Sequence, residues 1–180
     1  MKILVSILII NIFQQTYGMG AGITPISKFR NKIYILLGKE RFNGEWSDFG
    51  GSSHLNENHL QTAIREGYEE LDGFLGNKQT FKNLVIKNYI TSIENNYNGN
   101  YKSFVTKFKY DSKLPLYFNN HHKFVENKTK NLCGNDGLYE KSHIKWFTIY
   151  EMKSLVNVRP HFKYIISEII LMENYLLDIL

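Results

Sequence analysis

Short runs of apolar and β-branched residues dominate the start of the chain after position 18. Residues 20–27 (GAGITPIS) and 32–40 (KIYILLGKE) predict two strands separated by a polar turn at Arg30 and Asn31. Residues 45–51 (EWSDFGG) predict a short strand that ends at the pair Gly50 and Gly51. The period then changes. Over 58–71, Leu60, Ala63, Ile64, Gly67 and Leu71 fall at i, i+3, i+4, i+7 and i+11, which is one core-facing stripe of a helix. Asn56 or Asn58 can cap that helix, and Glu57 lies favourably near its N-terminus.

Further along, residues 84–93 (LVIKNYITSI) and 101–110 (YKSFVTKFKY) predict strands joined as a hairpin by the turn-rich residues 94–100 (ENNYNGN). Residues 112–138 are polar and lack a clear period, so they predict a long irregular loop, a kind that is usually functional or disordered. Residues 143–149 (HIKWFTI) predict another strand. Phe162, Ile165, Ile166, Ile169, Ile170, Leu176 and Leu177 predict an amphipathic helix over 160–180, with Pro160 in its first turn. Strands, a helix, strands and a closing helix imply an α/β (α+β) fold with a mixed β-sheet packed between helices. With no repeat and only three prolines, residues 19–180 read as one domain.

Composition adds limits. The chain has 180 residues, 43% of them hydrophobic, which suits one domain with a real core. A net charge of +5 mildly favours polyanionic partners such as nucleotides or RNA. Its lysines form no tight basic run, so an RNA-binding surface is not written in the sequence. The single cysteine, Cys133, excludes an internal disulfide, a CxxC redox site and a Cys-rich zinc site. Residues 1–18 have Lys2, an apolar run over 3–13, and the small residues Thr16 and Gly18. They read either as a secretory signal peptide cleaved before Met19 or as a buried β-strand, and the run is too short for a transmembrane helix. Cleavage implies a secreted or lumenal protein, and retention a cytoplasmic one. The sequon Asn127-Lys128-Thr129 weakly supports secretion.

The helix over 58–71 carries a second pattern. Glu66, Glu69 and Glu70 fall at i, i+3 and i+4, so their carboxylates gather and repel one another. Lysine partners in solvent would relieve that repulsion. So would a hard divalent cation such as Mg²⁺ or Mn²⁺, which prefers oxygen ligands.

Residues 51–73 resemble the Nudix box, G-x5-E-x7-R-E-U-x-E-E-x-G-U with U aliphatic. Gly51, Glu57, Arg65, Glu66, Glu69 and Glu70 stand in register with it. Gly67 stands where an aliphatic residue is usual, and Asp72 where a glycine is usual, with Gly73 one residue late. Phe49 replaces a proline often found before the two glycines. The order of elements over about residues 20 to 175 also resembles the Nudix α/β/α sandwich.

The resemblance implies a divalent-metal-dependent hydrolase that cuts the diphosphate linkage of a nucleoside diphosphate joined to another moiety, X. It implies Glu69 and Glu70 as the main ligands of Mg²⁺ or Mn²⁺, with Glu66 as a further ligand or water-orienting group. The Gly50 backbone carbonyl would complete the coordination sphere, and Arg65 with Glu57 would form a supporting ion pair. Glu140, six residues before Trp146, matches a position at which some members place another metal-binding glutamate or the general base. X is not fixed by the box. His121, His122, Tyr117, Phe118 and Phe124 offer stacking and hydrogen bonds to a base, or serve as aromatic anchors of a surface loop. Two alternatives stand beside this reading: a pyrophosphohydrolase of the mRNA cap or another RNA 5′ end, and a catalytically silent nucleotide-binding module. Retention of every glutamate of the box favours catalysis.

Overall fold

β1 (Met19–Phe29) and β2 (Lys32–Glu40) pair antiparallel, with Ile26 opposite Ile35. Their turn lies at Arg30 and Asn31, both at positive φ (49° and 56°), which matches the twist of a tight hairpin. The computed structural model describes residues 19–95, 100–128 and 139–180. Residues 1–18, Thr129 of the sequon and Cys133 lie outside the described residues.

The strand expected over 45–51 is two strands. β3 (Trp46–Ser47) pairs with β2, and β4 (Phe49–Ser52) pairs with β1. The chain changes partner at Asp48, whose buried carboxylate accepts hydrogen bonds from Ser103 Oγ (2.6 Å) and Tyr101 Oη (2.9 Å). Next come helices α1 (His59–Glu70) and α2 (Lys78–Lys87), then strands β5 (Tyr89–Asn95) and β6 (Asn100–Lys107). Helix α3 (Lys113–Lys128) and strand β7 (Lys141–Thr148) follow, and helices α4 (Ile149–Lys153), α5 (Pro160–Leu171) and α6 (Glu173–Ile179) close the chain. Among the described residues, the sheet has seven strands in the order β3-β2-β1-β6-β5, with β4 on β1 and β7 on β2. β1 and β6 run parallel and the other pairs antiparallel, so the sheet is mixed.

Alternation along the strands feeds two cores. Ile33, Ile35 and Leu37 of β2 join Phe162, Ile165 and Leu176 of α5 and α6 on one face. Leu36 joins Ala63, Phe81 and Phe118 of α1, α2 and α3 on the other. This is the α/β/α sandwich that the pattern predicts. No helix among the described residues is long and apolar enough to cross a membrane.

Three further elements differ from expectation. The strand predicted from residue 84 starts at Tyr89, because Asn77 caps α2 and Phe81 and Val85 anchor it in the core. Residues 84–86 are too short an apolar run to distinguish helix from strand. The loop predicted over 112–138 contains the helix α3, which buries only Phe118 and His122. A histidine on the core face hides the helical period. The single C-terminal helix breaks at Met172, which ends α5 and begins α6 while Leu176 stays in the same core.

Gly67 has a packing role. A Cβ added there would stand 2.9 Å from Ile23 Cγ1 and 3.1 Å from the Phe81 ring. Phe81 from α2 thus fills the space that an aliphatic side chain at this position would need. Gly67→Ile should therefore lower stability by about 1–3 kcal/mol through overpacking. Equilibrium urea unfolding measures this, and a variant as stable as wild type would show that the interface can expand.

Candidate active site

The polar site grows from the N-terminus of α1. Asn58 caps the helix: its side chain accepts from Gln61 N (2.9 Å), and the Gln61 side chain accepts from Asn58 N (2.9 Å). Glu57 lies just outside the helix. Its carboxylate accepts from His54 N (2.9 Å), Thr62 Oγ1 (3.1 Å), Arg65 Nε (2.8 Å) and Arg65 Nη2 (3.0 Å). The paired bonds from Arg65 lead the interactions that hold the Glu57 carboxyl down at about 2. Arg65 also donates to Glu66 (2.8 Å), Glu69 (3.1 Å) and the Ser52 carbonyl (2.9 Å). One guanidinium therefore ties the loop after β4 to three carboxylates of the motif.

Glu66 lies against Gly51. A Cβ at Gly51 would stand 2.7 Å from the Glu66 carboxyl group, so only glycine permits this approach. Burial pushes the Glu66 carboxyl up, Arg65 opposes the shift, and the charges of Glu69 and Glu140 add to it. Glu140 is also pushed up, first by burial and then by the charge of Glu40. The fold thus brings Glu66, Glu69 and Glu140 into one electrostatic neighbourhood.

Glu70 points the other way. Its side chain is 2% exposed; Oε2 accepts from Gly50 N (2.7 Å), and Oε1 lies 3.2 Å from Lys141 Nζ. Lys141 is fully buried, donates to Ser47 Oγ (2.7 Å) and Glu40 Oε1, and passes beside Gly38, where a Cβ would stand 2.7 Å from Lys141 Cδ. Arg159 completes the group at 3.2 Å from Glu40. Burial raises the Glu70 carboxyl well above its ordinary range despite the lysine. Burial alone would lower Lys141, but Glu70 and Glu40 outweigh it and raise the ammonium. Nothing in the sequence singles out Lys141, since one lysine at the start of a strand reads as solvated.

Asp72, the departure from the motif, has a use. It adopts a left-handed conformation (φ 48°) where a glycine is usual. Its carboxylate accepts from Tyr139 N (3.0 Å) and His122 Nε2. Arg41 Nη2 lies 3.2 Å from His122 Nδ1; a guanidinium only donates, so Nδ1 accepts and Nε2 carries the proton given to Asp72. Arg41 also donates through Nε to the Tyr139 carbonyl (2.8 Å) and through its backbone N to the Glu140 carbonyl (2.8 Å). The end of α1 is thereby fastened to α3 and to the segment that carries Glu140. His122 and Phe118 are not available to stack on a base: both are buried, with their rings stacked at 4.0 Å. Tyr117 and Phe124 are exposed, and His121 lies edge-on to Phe74.

Asp48 is buried within reach of the charges of Lys141 and Arg159, and burial pushes its carboxyl up to about 6 against the hydrogen bonds from Ser103 and Tyr101. Across Tyr101 lies His161, with ring centroids 4.4 Å apart. Burial first, then the charges of Arg159 and Lys141, lower the His161 imidazole from 6.5 to about 4. The unfolded chain therefore takes up this proton before the folded one does, and stability falls as pH drops from about 6.5 to about 4. His161→Phe should keep the ring contact with Tyr101 and flatten that part of the pH profile. Urea unfolding at pH 7 and pH 4.5 tests it, and equal losses in both proteins would contradict it.

The donor chemistry fits a hard divalent cation, because Glu66, Glu69 and Glu140 offer only carboxylate oxygens. Among the described residues, no three His, Cys, Asp or Glu side chains already form a ligand cluster. Arg65 engages Glu66 and Glu69 instead, and Lys141 engages Glu70.

No protein-family model matches the sequence, and no curated protein matches it. Solved structures do. The chain is similar to a C. elegans Ap4A hydrolase in a binary complex, at 14% identity over 83% of this chain and 94% of that one, with a TM-score of 0.51. It is similar to RenU, a Nudix hydrolase from M. smegmatis, at 13% identity over 84% of this chain and 83% of that one, with a TM-score of 0.51. A bifunctional NMN adenylyltransferase/ADP ribose pyrophosphatase from Francisella tularensis matches at 17% identity over 88% of this chain and 43% of that one, with a TM-score of 0.53. At such identities the likeness is one of architecture, and it agrees with the strand order and the helix-covered mixed sheet: the chain has the Nudix fold.

Proposed function

We propose that this protein is a divalent-metal-dependent hydrolase that cuts the diphosphate linkage of a nucleoside diphosphate joined to another moiety. The observation that carries this reading is the seat of Glu66 on Gly51, with the Arg65 guanidinium holding Glu66 and Glu69 together, in a Nudix fold. Two of the similar structures are named for Ap4A and ADP ribose, both phosphoanhydrides, which supports the substrate class. Glu66, Glu69, Glu70 and Glu140 would hold Mg²⁺ or Mn²⁺ together with the backbone carbonyl of Gly50, the β4 residue that pairs with Gly22. When bound, such an ion neutralises a diphosphate and lowers the pKa of its water. As an alternative to ligating the ion, Glu140 would accept the proton of the attacking water as general base, a role that its upward-shifted carboxyl supports. Arg65 keeps the carboxylates from drifting apart.

The test is hydrolysis by the purified full chain with Mg²⁺ or Mn²⁺, using ADP-ribose, dinucleoside polyphosphates, NADH, nucleoside triphosphates and capped RNA as substrates. Metal-dependent cleavage of one class supports the reading, and no cleavage across the panel counts against it. A second reading, binding without cleavage, has one observation in its favour: Arg65 and Lys141 already satisfy the motif carboxylates. Nucleotide binding by calorimetry in a sample that cleaves nothing would select it.

A further inference from the structure

We infer that Asp72 is a positioning residue for Glu140: from the end of α1 it grips Tyr139 and so fixes the direction in which the Glu140 side chain leaves the backbone. This rests on the function proposed above. Glu140 is held through its two chain neighbours, and the end of α1 holds both of them. On one side, Lys141 Nζ lies 3.2 Å from Glu70, the last residue of that helix. On the other, the Tyr139 amide donates to Asp72 Oδ1 at 3.0 Å, two residues past Glu70. Glu66 and Glu69 stand on the same helix, so one rigid element carries them and both anchors of the segment with Glu140. The charge of Glu140 acts on Glu66, and that of Glu69 acts on Glu140.

The grip works against the backbone. Asp72 (φ 48°) and Tyr139 (φ 64°) are both non-glycine residues in the left-handed region, and they are bonded to each other. Such conformations persist only where the surroundings over-determine them, and they cluster at functional sites. Here the surroundings are explicit. Asp72 also accepts from His122 Nε2, Arg41 Nε donates to the Tyr139 carbonyl at 2.8 Å, and the Tyr139 ring lies edge-on to His122 at 5.2 Å. Arg41 N donates to the Glu140 carbonyl at 2.8 Å. With only that carbonyl and Lys141 fixed, rotation about the Glu140 Cα–C bond would swing its side chain. Fixing Tyr139 removes that freedom, because the planar peptide between the two residues then places the Glu140 nitrogen. Ending the helix requires none of this, since glycine takes the left-handed turn without a carboxylate. The carboxylate at position 72 is explained by what it holds.

A double-mutant cycle tests this, read as steady-state kinetics of the full chain on a substrate that wild type cleaves, with each fold checked by circular dichroism. Glycine suits the backbone at position 72, so Asp72→Gly removes the carboxylate without adding strain. It should lower kcat about tenfold and leave KM within about threefold of wild type. Glu140→Gln should lower kcat about 100-fold. The two together should lose no more than Glu140→Gln alone, to within about twofold, because the grip has nothing to position once that carboxylate is gone. A residue that only stabilised the fold would give losses that multiply. Multiplying losses overturn the inference. So does Asp72→Gly with the kcat of wild type, or Glu140→Gln as active as wild type, and each of these leaves the proposed function standing. A measurement on the unmutated chain decides even where a variant fails to fold. Hydrogen exchange of the Tyr139 amide should be slowed about 100-fold or more relative to a free peptide, and exchange at the free rate overturns the inference. Wild type that cleaves nothing in the panel overturns the proposed function and takes this inference with it.

Discussion

Glu69→Gln should reduce metal-dependent turnover by on the order of 100-fold or more while leaving the fold intact. The two effects separate because of where Glu69 stands. It lies on the outer side of α1 with 23% of its side chain exposed, and its ion pair is a single contact of 3.1 Å with Arg65. Losing that contact leaves Arg65 bound to Glu57, Glu66 and the Ser52 carbonyl, so helix and loop stay tied. Glutamine keeps the length and polarity of the side chain, and what disappears is the negative charge. Steady-state kinetics with a fixed substrate and a melting curve of the same preparation read out both halves. Full turnover in the variant would remove Glu69 from the site, and a collapsed melting temperature would make it a structural residue.

Arg65→Met should act in the opposite way, mainly on stability, with a loss of about 3–5 kcal/mol. The guanidinium side chain is only 11% exposed, and it is the shared partner of Glu57, Glu66 and Glu69. Removing it leaves Glu66 pressed on Gly51 with no counter-charge and frees the loop at Ser52. Lysine would not replace it, because a single ammonium cannot span this fork of acceptors.

The sign of the pH dependence gives a second reading of the same clamp. Glu57 has its folded-state carboxyl depressed from 4.5 to about 2. Its contribution is therefore present above 4.5 and is lost as pH falls through 2. Wild type should lose stability over that interval, whereas Arg65→Met, lacking the chief cause of the depression, should lose less. The gap between the two proteins should narrow on acidification. Urea unfolding at pH 7 and pH 3 measures it. A gap that stays constant would place the stabilising effect of Arg65 elsewhere than in Glu57.

Much of this architecture is legible in the chain because period and burial agree. Alternation of Ile33, Ile35 and Leu37 against Leu36 marks β2 as a strand covered on both faces, and the stripe Leu60, Ala63, Ile64, Gly67 marks α1. The candidate carboxylates are legible because a helix fixes their offsets. Three of the unread parts share a cause: a polar residue doing a buried residue's work. His122 sits in the core of α3 and disguises that helix as a loop. Lys141 is fully buried, yet its sequence neighbourhood reads as surface. Asp48 splits one expected strand into two because its carboxylate has partners on β6 that lie far off in sequence. Local pattern carries no information about such distant partners.

The fastening of Asp72 to His122 and Tyr139 also bears on transplantation of the motif. A segment cut from Gly51 to Gly73 and grafted onto another scaffold of this architecture would arrive without its docking points. Asp72 would then be a non-glycine residue in a left-handed conformation, with a carboxylate facing nothing chosen for it. The smallest exchangeable unit is consequently not the contiguous stretch but a discontinuous one that also includes Arg41, His122 and Tyr139. Chimaeras built on that larger unit keep the latch, and those built on the stretch alone start without it.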